Sequence, residues 1–168
     1  MAEAYYRSPV GILYLSADDE NINAICFLNS SKGKIIDESS ISFPPVSSVL
    51  LRKCIQQLDE YFAGNRKEFE LPLAQSGTLF QQKVWSRLYD IPYGKTISYL
   101  ELSKRLENVK AIRAVGTANG SNKICIVVPC HRVIGSNGSL VGYGGDLWRK
   151  QWLLEHEAKH QNGVQMLF

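Results

Sequence analysis

The sequence has no apolar run that approaches the roughly 18 residues of a membrane-spanning helix. Its first residues also lack a basic segment followed by an apolar one, so we expect no membrane partner and a cytoplasmic protein, or a nuclear one in a eukaryote. The four cysteines and three histidines form no paired metal-binding pattern. We therefore expect no metal, no cofactor, and reduced thiols rather than disulfides.

The chain also has little net charge, because its 19 Lys and Arg residues are nearly balanced by 16 Asp and Glu residues. The balance is nevertheless uneven along the chain. Residues 1–80 hold seven basic and ten acidic residues, whereas residues 81–135 hold nine basic and three acidic ones. A basic segment of this kind is expected where a protein meets phosphates. On charge alone, a solvated basic face is the simpler interpretation.

The first half of the chain predicts a small α+β unit. Residues 11–16 and 22–27 are β-prone runs that flank the turn-forming residues 18–21, which is the pattern of a β-hairpin. Apolar residues at helical spacing follow the prolines at positions 44 and 45. They predict a helix that ends at Gly64.

A linker pattern at residues 71–77 divides the chain in two. We predict an N-terminal α+β supporting domain over residues 1–75 and a C-terminal domain over residues 76–168. The second domain opens with an amphipathic helix over residues 80–89 and is expected to be mainly helical. The fold class is therefore α+β.

Two short helices in the C-terminal domain are joined by a tight turn. Ser98 and Glu101 form the capping-box pattern that begins the first of them. The second, over residues 111–119, ends at Gly120 and carries small side chains, with Arg113 as its one long projecting group. The pair is typical of a helix-turn-helix. Small residues can also simply permit tight helix packing, and that alternative stays open.

Cys130 follows a continuous apolar run, residues 124–128, that predicts a buried strand. Pro129 favours a turn, and His131 and Arg132 come directly after the cysteine. A base and a positive charge are the two groups that make a thiol nucleophilic. From residue types and spacing alone, however, an inert buried thiol is the better interpretation.

The end of the chain predicts a turn, a glycine-rich loop and a helix. Asn137-Gly138 marks the turn, and the loop at residues 142–145 has a backbone that can approach a ligand closely. Asp146 is expected to cap the last helix. The predicted inward face of that helix carries Leu147, Lys150, Gln151, Leu154 and Glu157. Glu157 is thereby a candidate to orient His131 in a Cys–His–Glu relay.

Two blocks resemble the O6-alkylguanine-DNA alkyltransferases, or methylated-DNA–protein-cysteine methyltransferases. They are Val-Pro-Cys-His-Arg-Val at 128–133 and Trp-Leu-Leu-Glu-His-Glu at 152–157, with Tyr-Gly-Gly at 143–145 between them. The match extends from about Gly77 to the end, and the first half matches more loosely. The resemblance implies a winged helix-turn-helix in the C-terminal domain and a monomer that acts on double-stranded DNA containing O6-alkylguanine.

The reaction that the resemblance implies is irreversible DNA repair with a single turnover after base flipping. Cys130 would take the methyl or alkyl group, with His131 as its base through a water molecule and Glu157 orienting His131. Asn122 would brace the active-site turn. Tyr99 would contact the flipped nucleotide and help to protonate the leaving guanine. Transfer from O4-alkylthymine stays open.

The resemblance also assigns residues to DNA and to the guanine pocket. Arg113 would fill the space that the flipped base leaves in the duplex. The other residues expected at DNA are Tyr99, Ala114, Thr117 and Lys123. The residues expected at the pocket are Val133, Tyr143, Gly144 and Lys150. Lys123 and Leu79 stand where the family usually has proline, and Lys123 adds a basic group.

Three other functions stay open on the sequence. A related class binds alkylated DNA without transfer and carries tryptophan in place of the cysteine, which Cys130 argues against. A winged-helix regulator would need base-reading side chains along its second helix, where this chain has small ones. A cysteine hydrolase of small molecules would turn over repeatedly and ignore DNA.

Overall fold

The computed structural model describes residues 1–31, 34–140 and 146–161. The chain divides into two compact units, Met1–Gln75 with Lys123–Cys125, and Ser76–Asn122 with Ile126–Phe168. Within the described ranges the protein combines α-helices with small β-sheets, which confirms the mixed α and β class. No helix in those ranges is both long and apolar enough to cross a membrane.

The first unit is built on a three-stranded antiparallel sheet. Its strands, in sheet order, are β1 (Ala2–Ser8), β2 (Gly11–Ala17) and β3 (Ile22–Phe27). The predicted hairpin of β2 and β3 is confirmed. The sequence did not predict β1, because its residues lack a clear apolar alternation and Tyr6 is its one buried side chain. Pairing with β2 along its whole length stabilises this edge strand.

Helix α1 (Val49–Phe62) packs against this sheet. Leu51, Cys54, Leu58 and Tyr61 recur at helical spacing and are fully buried. The hydroxyl of Ser48 accepts a hydrogen bond from the Leu51 N–H at the start of the helix. Gly64 follows its end with φ of +82°, a conformation that costs glycine little. The predicted end of this helix is confirmed.

The predicted strand at residues 124–128 is wrong. Only Ile124 makes a ladder contact, a parallel bridge to Ile25, which joins the segment Lys123–Cys125 to the first unit. The chain then turns at residues 125–127, and Ile126 has a φ of +73°. The apolar run predicted burial correctly, since Ile126, Val127 and Val128 are all buried. Periodicity alone does not distinguish a buried strand from a buried turn.

The second unit contains four helices and a short parallel pair of strands within its described part. The helices are α2 (Leu79–Tyr89), α3 (Tyr99–Arg105), α4 (Ile112–Gly120) and α5 (Leu147–Gln161). The strands are β4 (Ile97–Ser98) and β5 (Val133–Ile134). Ser98 caps α3, as predicted. Gly120 is the last residue of α4 rather than the residue after it.

Helix α2 packs against α4 within the second unit. Thr78 and Gln81 form a reciprocal capping box at the start of this helix, which was not predicted. Trp85 is buried, and its indole Nε1–H donates to the Ala118 carbonyl at 2.9 Å. The bond joins α2 to α4 and satisfies the indole donor, which buried tryptophans need.

The inward face of α5 is only partly as predicted. Its buried residues are Arg149, Lys150, Leu153, His156 and Glu157. Leu147 and Gln151 are exposed, so their inward placement was wrong. His156 is buried as well, with its ring stacked on Trp152 at 4.8 Å between centroids. The apolar residues of this helix do not indicate which face is buried, because four of its five buried side chains are polar or charged.

Candidate active site around Cys130

Cys130 begins a tight helical turn, Cys130–Arg132, that lies between buried segments. Pro129 precedes the turn with φ of −82°, near the edge of the narrow range that its ring favours. The Cys130 N–H donates to the Val128 carbonyl at 2.8 Å, and the Val133 N–H donates to the Cys130 carbonyl. Because Cys130 is only 4% exposed, its thiol lies in a recess rather than on the surface.

Two buried asparagines brace this turn. The Asn122 Nδ2 donates to the Val128 carbonyl at 2.8 Å, and the Asn119 Nδ2 donates to the Cys130 carbonyl at 3.3 Å. Buried carbonyls need such donors. The bracing contact of Asn122 is the one that the family resemblance implies. Asn119 was not among the predicted site residues, although an asparagine in the last turn of a helix built from small residues was a signal for it.

His131 and Glu157 form a buried hydrogen-bonded pair. The His131 Nε2 and the Glu157 Oε2 are 2.7 Å apart, and both side chains are essentially inaccessible. Burial lowers the pKa of His131, although Glu157 acts in the opposite direction. The ring is therefore neutral near pH 7, with its proton on Nε2 facing the carboxylate. The other nitrogen, Nδ1, has no hydrogen-bond partner among the described residues and is left as an acceptor.

Arg132 holds the same carboxylate from the other side. Its Nε donates to Glu157 Oε1 at 2.8 Å and its Nη2 to Oε2 at 3.1 Å. Its Nη1 donates to the Ile91 carbonyl at 2.6 Å, and the Gly94 N–H reaches Glu157 Oε1 at 3.3 Å. Burial would raise the pKa of Glu157, but His131 and Arg132 outweigh it and hold that pKa well below its usual range. Glu157 is therefore ionised.

Lys150 and Tyr99 lie near enough to Cys130 to interact with it electrostatically. The Lys150 Nζ donates to the Val133 carbonyl at 2.5 Å and lies 5.8 Å from the centre of the Tyr99 ring. Burial lowers the pKa of Lys150 to about 8, while the nearby Cys130 acts to raise it. Burial raises the pKa of Tyr99, a hydrogen bond from Asn119 lowers it, and Cys130 raises it again. The pKa values of both side chains therefore depend on the charge of Cys130.

The shifted pKa of Lys150 predicts a pH-dependent stability. Folded protein releases the Lys150 proton near pH 8, whereas the unfolded chain holds it to about 10.5. Between these values the unfolded chain binds more protons, so this residue makes the free energy of unfolding rise with pH. We expect Lys150→Met to remove that rise, measured by urea unfolding from pH 7.5 to 10. If the free energy of unfolding changed with pH in the same way in both proteins, the lowered pKa of Lys150 would be contradicted.

Exposed residues on α4 form a flat surface. Arg113, Ala114 and Thr117 are exposed, while Val115 and Ala118 on the opposite face are buried. The Thr117 hydroxyl donates to the Arg113 carbonyl, which leaves the Arg113 guanidinium as the long group on this face. The three exposed residues are the ones expected at DNA.

Other expected site residues are placed differently or lie outside the described residues. Val133 is fully buried in β5, beside the turn that carries the thiol. Lys123 is exposed but belongs to the first unit, where its N–H donates to Gln75. Tyr143 and Gly144 fall in the range 141–145, outside the described residues. In the ranges that the structure covers, no group of three His, Cys, Asp or Glu residues could hold a metal ion.

Comparisons with known proteins match both halves of the chain. The 6-O-methylguanine DNA methyltransferase DNA binding domain matches residues 79–159, and the ribonuclease-like domain of that name matches residues 1–75. The methylated-DNA–protein-cysteine methyltransferase of Methanosarcina acetivorans is 43% identical over 158 residues, 94% of this chain and 99% of the relative. That of Mycobacterium leprae is 44% identical over 154 residues, 92% and 90% of the two chains.

Solved structures give the same result. A crystal structure of Mycobacterium tuberculosis OGT in complex with DNA is similar with a TM-score of 0.83 and 39% identity, covering 95% of this chain and 94% of that one. A structure of the O6-methylguanine methyltransferase from the same organism has a TM-score of 0.83 and 39% identity, with 99% and 98% covered.

Proposed function

Because this chain belongs to the 6-O-methylguanine DNA methyltransferase family, it repairs DNA by transferring an alkyl group to one of its own cysteines, and we propose that this cysteine is Cys130. The observation that carries the assignment is the ionised, buried Glu157 hydrogen-bonded to His131, the residue after Cys130. Cys54 is a poor alternative, because burial raises the pKa of its thiol to about 12. A thiol that stays protonated is a weak nucleophile.

Proton transfer from the thiol is the first chemical step. Nδ1 of the neutral His131 ring takes the Cys130 proton, through a water molecule in the mechanism that the family implies. The ring then carries a positive charge next to Glu157, which stabilises it in place. Lys150 lies close enough to sense Cys130 and stabilises the thiolate as it forms. The thiol is thus activated by groups that are already in position before DNA binds.

Alkyl transfer then exchanges one bond for another. The Cys130 sulfur attacks the alkyl carbon on guanine O6, a carbon–sulfur bond forms, and the carbon–oxygen bond breaks. The electron pair stays with the guanine, which gains a proton as it leaves. Tyr99 is the proposed proton donor, since burial keeps its hydroxyl protonated near neutral pH. The product is a thioether, which water does not reverse, so each molecule acts once.

Access to O6 requires the damaged nucleotide to leave the duplex. An alkyl group in a stacked base pair is hidden from a buried thiol, and base-modifying enzymes solve this by base flipping. We propose that α3 and α4 form a winged helix-turn-helix, with the small exposed side chains of α4 against the minor groove. Arg113 then occupies the space that the flipped nucleotide leaves. In this arrangement residues 1–75 support the DNA-binding part, and the protein acts as a monomer.

A direct assay tests the assignment to Cys130. The protein is incubated with a duplex carrying one O6-methylguanine, digested, and its peptides are weighed. We expect a methyl adduct on the peptide that contains Cys130, at a ratio that approaches one per protein. An adduct on another cysteine would overturn the assignment, and repeated turnover would overturn the single-use mechanism.

Arg113→Ala tests the role of α4. Without the side chain that fills the duplex, we expect transfer from a duplex to slow by about 10-fold or more, because unstacking costs a few kcal/mol. Transfer from a single-stranded oligonucleotide is expected to change little, since no gap needs filling. Both rates are measured in single-turnover experiments, with Arg52→Ala on the exposed side of α1 as a matched loss of charge. Equal slowing on both substrates would contradict the proposal.

A further inference from the structure

We infer that Arg132 is a positioning residue: it locks Glu157 as a hydrogen-bond acceptor, so that His131 presents Nδ1 as the base. This inference rests on the proposed use of Cys130 and His131. The sequence suggests a different role for Arg132, a positive charge that favours the thiolate. The contacts of its guanidinium favour the lock instead.

The guanidinium of Arg132 is hydrogen-bonded to two groups, the Glu157 carboxylate and the Ile91 carbonyl. Two of its N–H groups bind both oxygens of Glu157, at 2.8 and 3.1 Å, and a third binds the Ile91 carbonyl at 2.6 Å. The side chain is 6% exposed, and its charged centre lies 5.7 Å from the Tyr93 ring centroid. This two-point contact fixes the plane of the carboxylate as well as its charge.

The ionised state of Glu157, which the charge of Arg132 helps to maintain, decides which nitrogen of His131 carries the proton. Oε2 accepts one bond from Arg132 and one from His131, while Oε1 accepts from Arg132 and from the Gly94 N–H. A carboxylate held in this way has no proton to donate to the ring. His131 must therefore donate its Nε2–H, and the lone pair that can take a thiol proton is on Nδ1.

Arg132 also influences the charge of the ring. Its positive charge and that of Lys150 act to lower the pKa of His131, whereas Glu157 acts to raise it. Tyr93 is a further ionisable group that interacts with Glu157, and burial keeps it neutral by raising its pKa to about 12. If Arg132 is removed, Glu157 and His131 are left as an isolated pair that favours imidazolium. A protonated ring cannot accept the proton of Cys130.

The expected consequence is a displaced pH profile. A general base works above its own pKa, so raising the pKa of His131 moves the acid limb of the rate to higher pH. For Arg132→Met we expect this limb to move up by about one unit or more. Arg132→Lys keeps a positive charge but cannot reach both carboxylate oxygens and Ile91 together. In Arg132→Lys we expect the acid limb of the pH profile to stay near that of the wild type while the transfer rate falls.

Single-turnover rates from pH 5 to 9 on saturating O6-methylguanine duplex test this, with DNA affinity measured alongside. Arg66→Met is the matched control, because it removes an arginine–carboxylate pair of 2.9 Å to Glu60 in the other unit. A limb that shifts in Arg132→Met but not in Arg132→Lys or Arg66→Met supports the lock. A uniform fall in rate with an unmoved limb would mean a structural role only and would overturn it.

A second readout needs no reaction. Nitrogen NMR of the free protein reports which ring nitrogen of His131 holds the proton. We expect Nε2–H in the wild type and in Arg132→Lys, and loss of that single form in Arg132→Met. If Arg132→Met does not fold, a wild-type ring protonated on Nδ1, or an Arg132→Lys limb shifted by a full unit, overturns the lock. Failure of the wild type to methylate Cys130 would instead refute the proposed function while leaving the NMR result intact.

Discussion

Cys130→Ser is expected to abolish methyl transfer while leaving binding to O6-methylguanine DNA nearly unchanged. A serine hydroxyl keeps its proton near neutral pH far more strongly than a thiol does, and a neutral imidazole cannot remove it without a further driving force. Because Cys130 is buried at the start of its turn, the smaller oxygen changes little on the surface that meets DNA. We expect a loss of at least about 10⁴-fold in rate, comparable to removal of a nucleophile in a triad.

The measurement combines two assays on one protein. Transfer is followed by mass on the Cys130 peptide, and affinity by fluorescence anisotropy with a labelled duplex that carries the lesion. Cys125→Ser is the matched control, since Cys125 is a half-buried thiol in the first unit and is expected to leave both results unchanged. Residual transfer in Cys130→Ser, or a comparable loss in Cys125→Ser, would refute the assignment of the acceptor.

Much of the fold follows from local sequence signals. The capping serine of α3, the glycine after α1 and the two β-prone runs of the hairpin each act within a few residues, and the structure has all of them. The elements that the sequence misses depend on distant partners. Strand β1 is held by β2, and Ile124 meets Ile25 from about a hundred residues away. No local pattern reports such pairings.

The site divides in the same way. The order Pro-Cys-His-Arg is visible in the sequence, and so is a glutamate on the inward side of the last helix. What the sequence does not show is that Arg132 binds both oxygens of Glu157, or that Asn119 donates to the Cys130 carbonyl. His131 and Arg132 bind one carboxylate from the last helix, while the Cys130 carbonyl is bound by a side chain of α4. Their partners are therefore decided by packing rather than by proximity in the chain.

Glu157→Gln is expected to cause the second large loss, in both rate and stability. An amide cannot balance the charge of Arg132, so the substitution leaves a buried guanidinium unpaired, which costs about 3–5 kcal/mol. The amide is also uncharged, so it no longer stabilises the positive ring that forms when His131 takes the thiol proton. By analogy with the loss of an orienting carboxylate in a triad, we expect transfer to slow by about 10³–10⁴-fold.

The two losses have different causes, and a double variant separates them. In Glu157→Gln with Arg132→Met the stranded charge is gone, so the free energy of unfolding is expected to recover most of the difference. The transfer rate is expected to stay low, because His131 still lacks its carboxylate. Urea unfolding and single-turnover rates on the wild type, both single variants and the double variant give the complete cycle. A rate that recovered together with stability would mean that Glu157 serves the fold alone, and the proposed Cys–His–Glu relay would have to be abandoned.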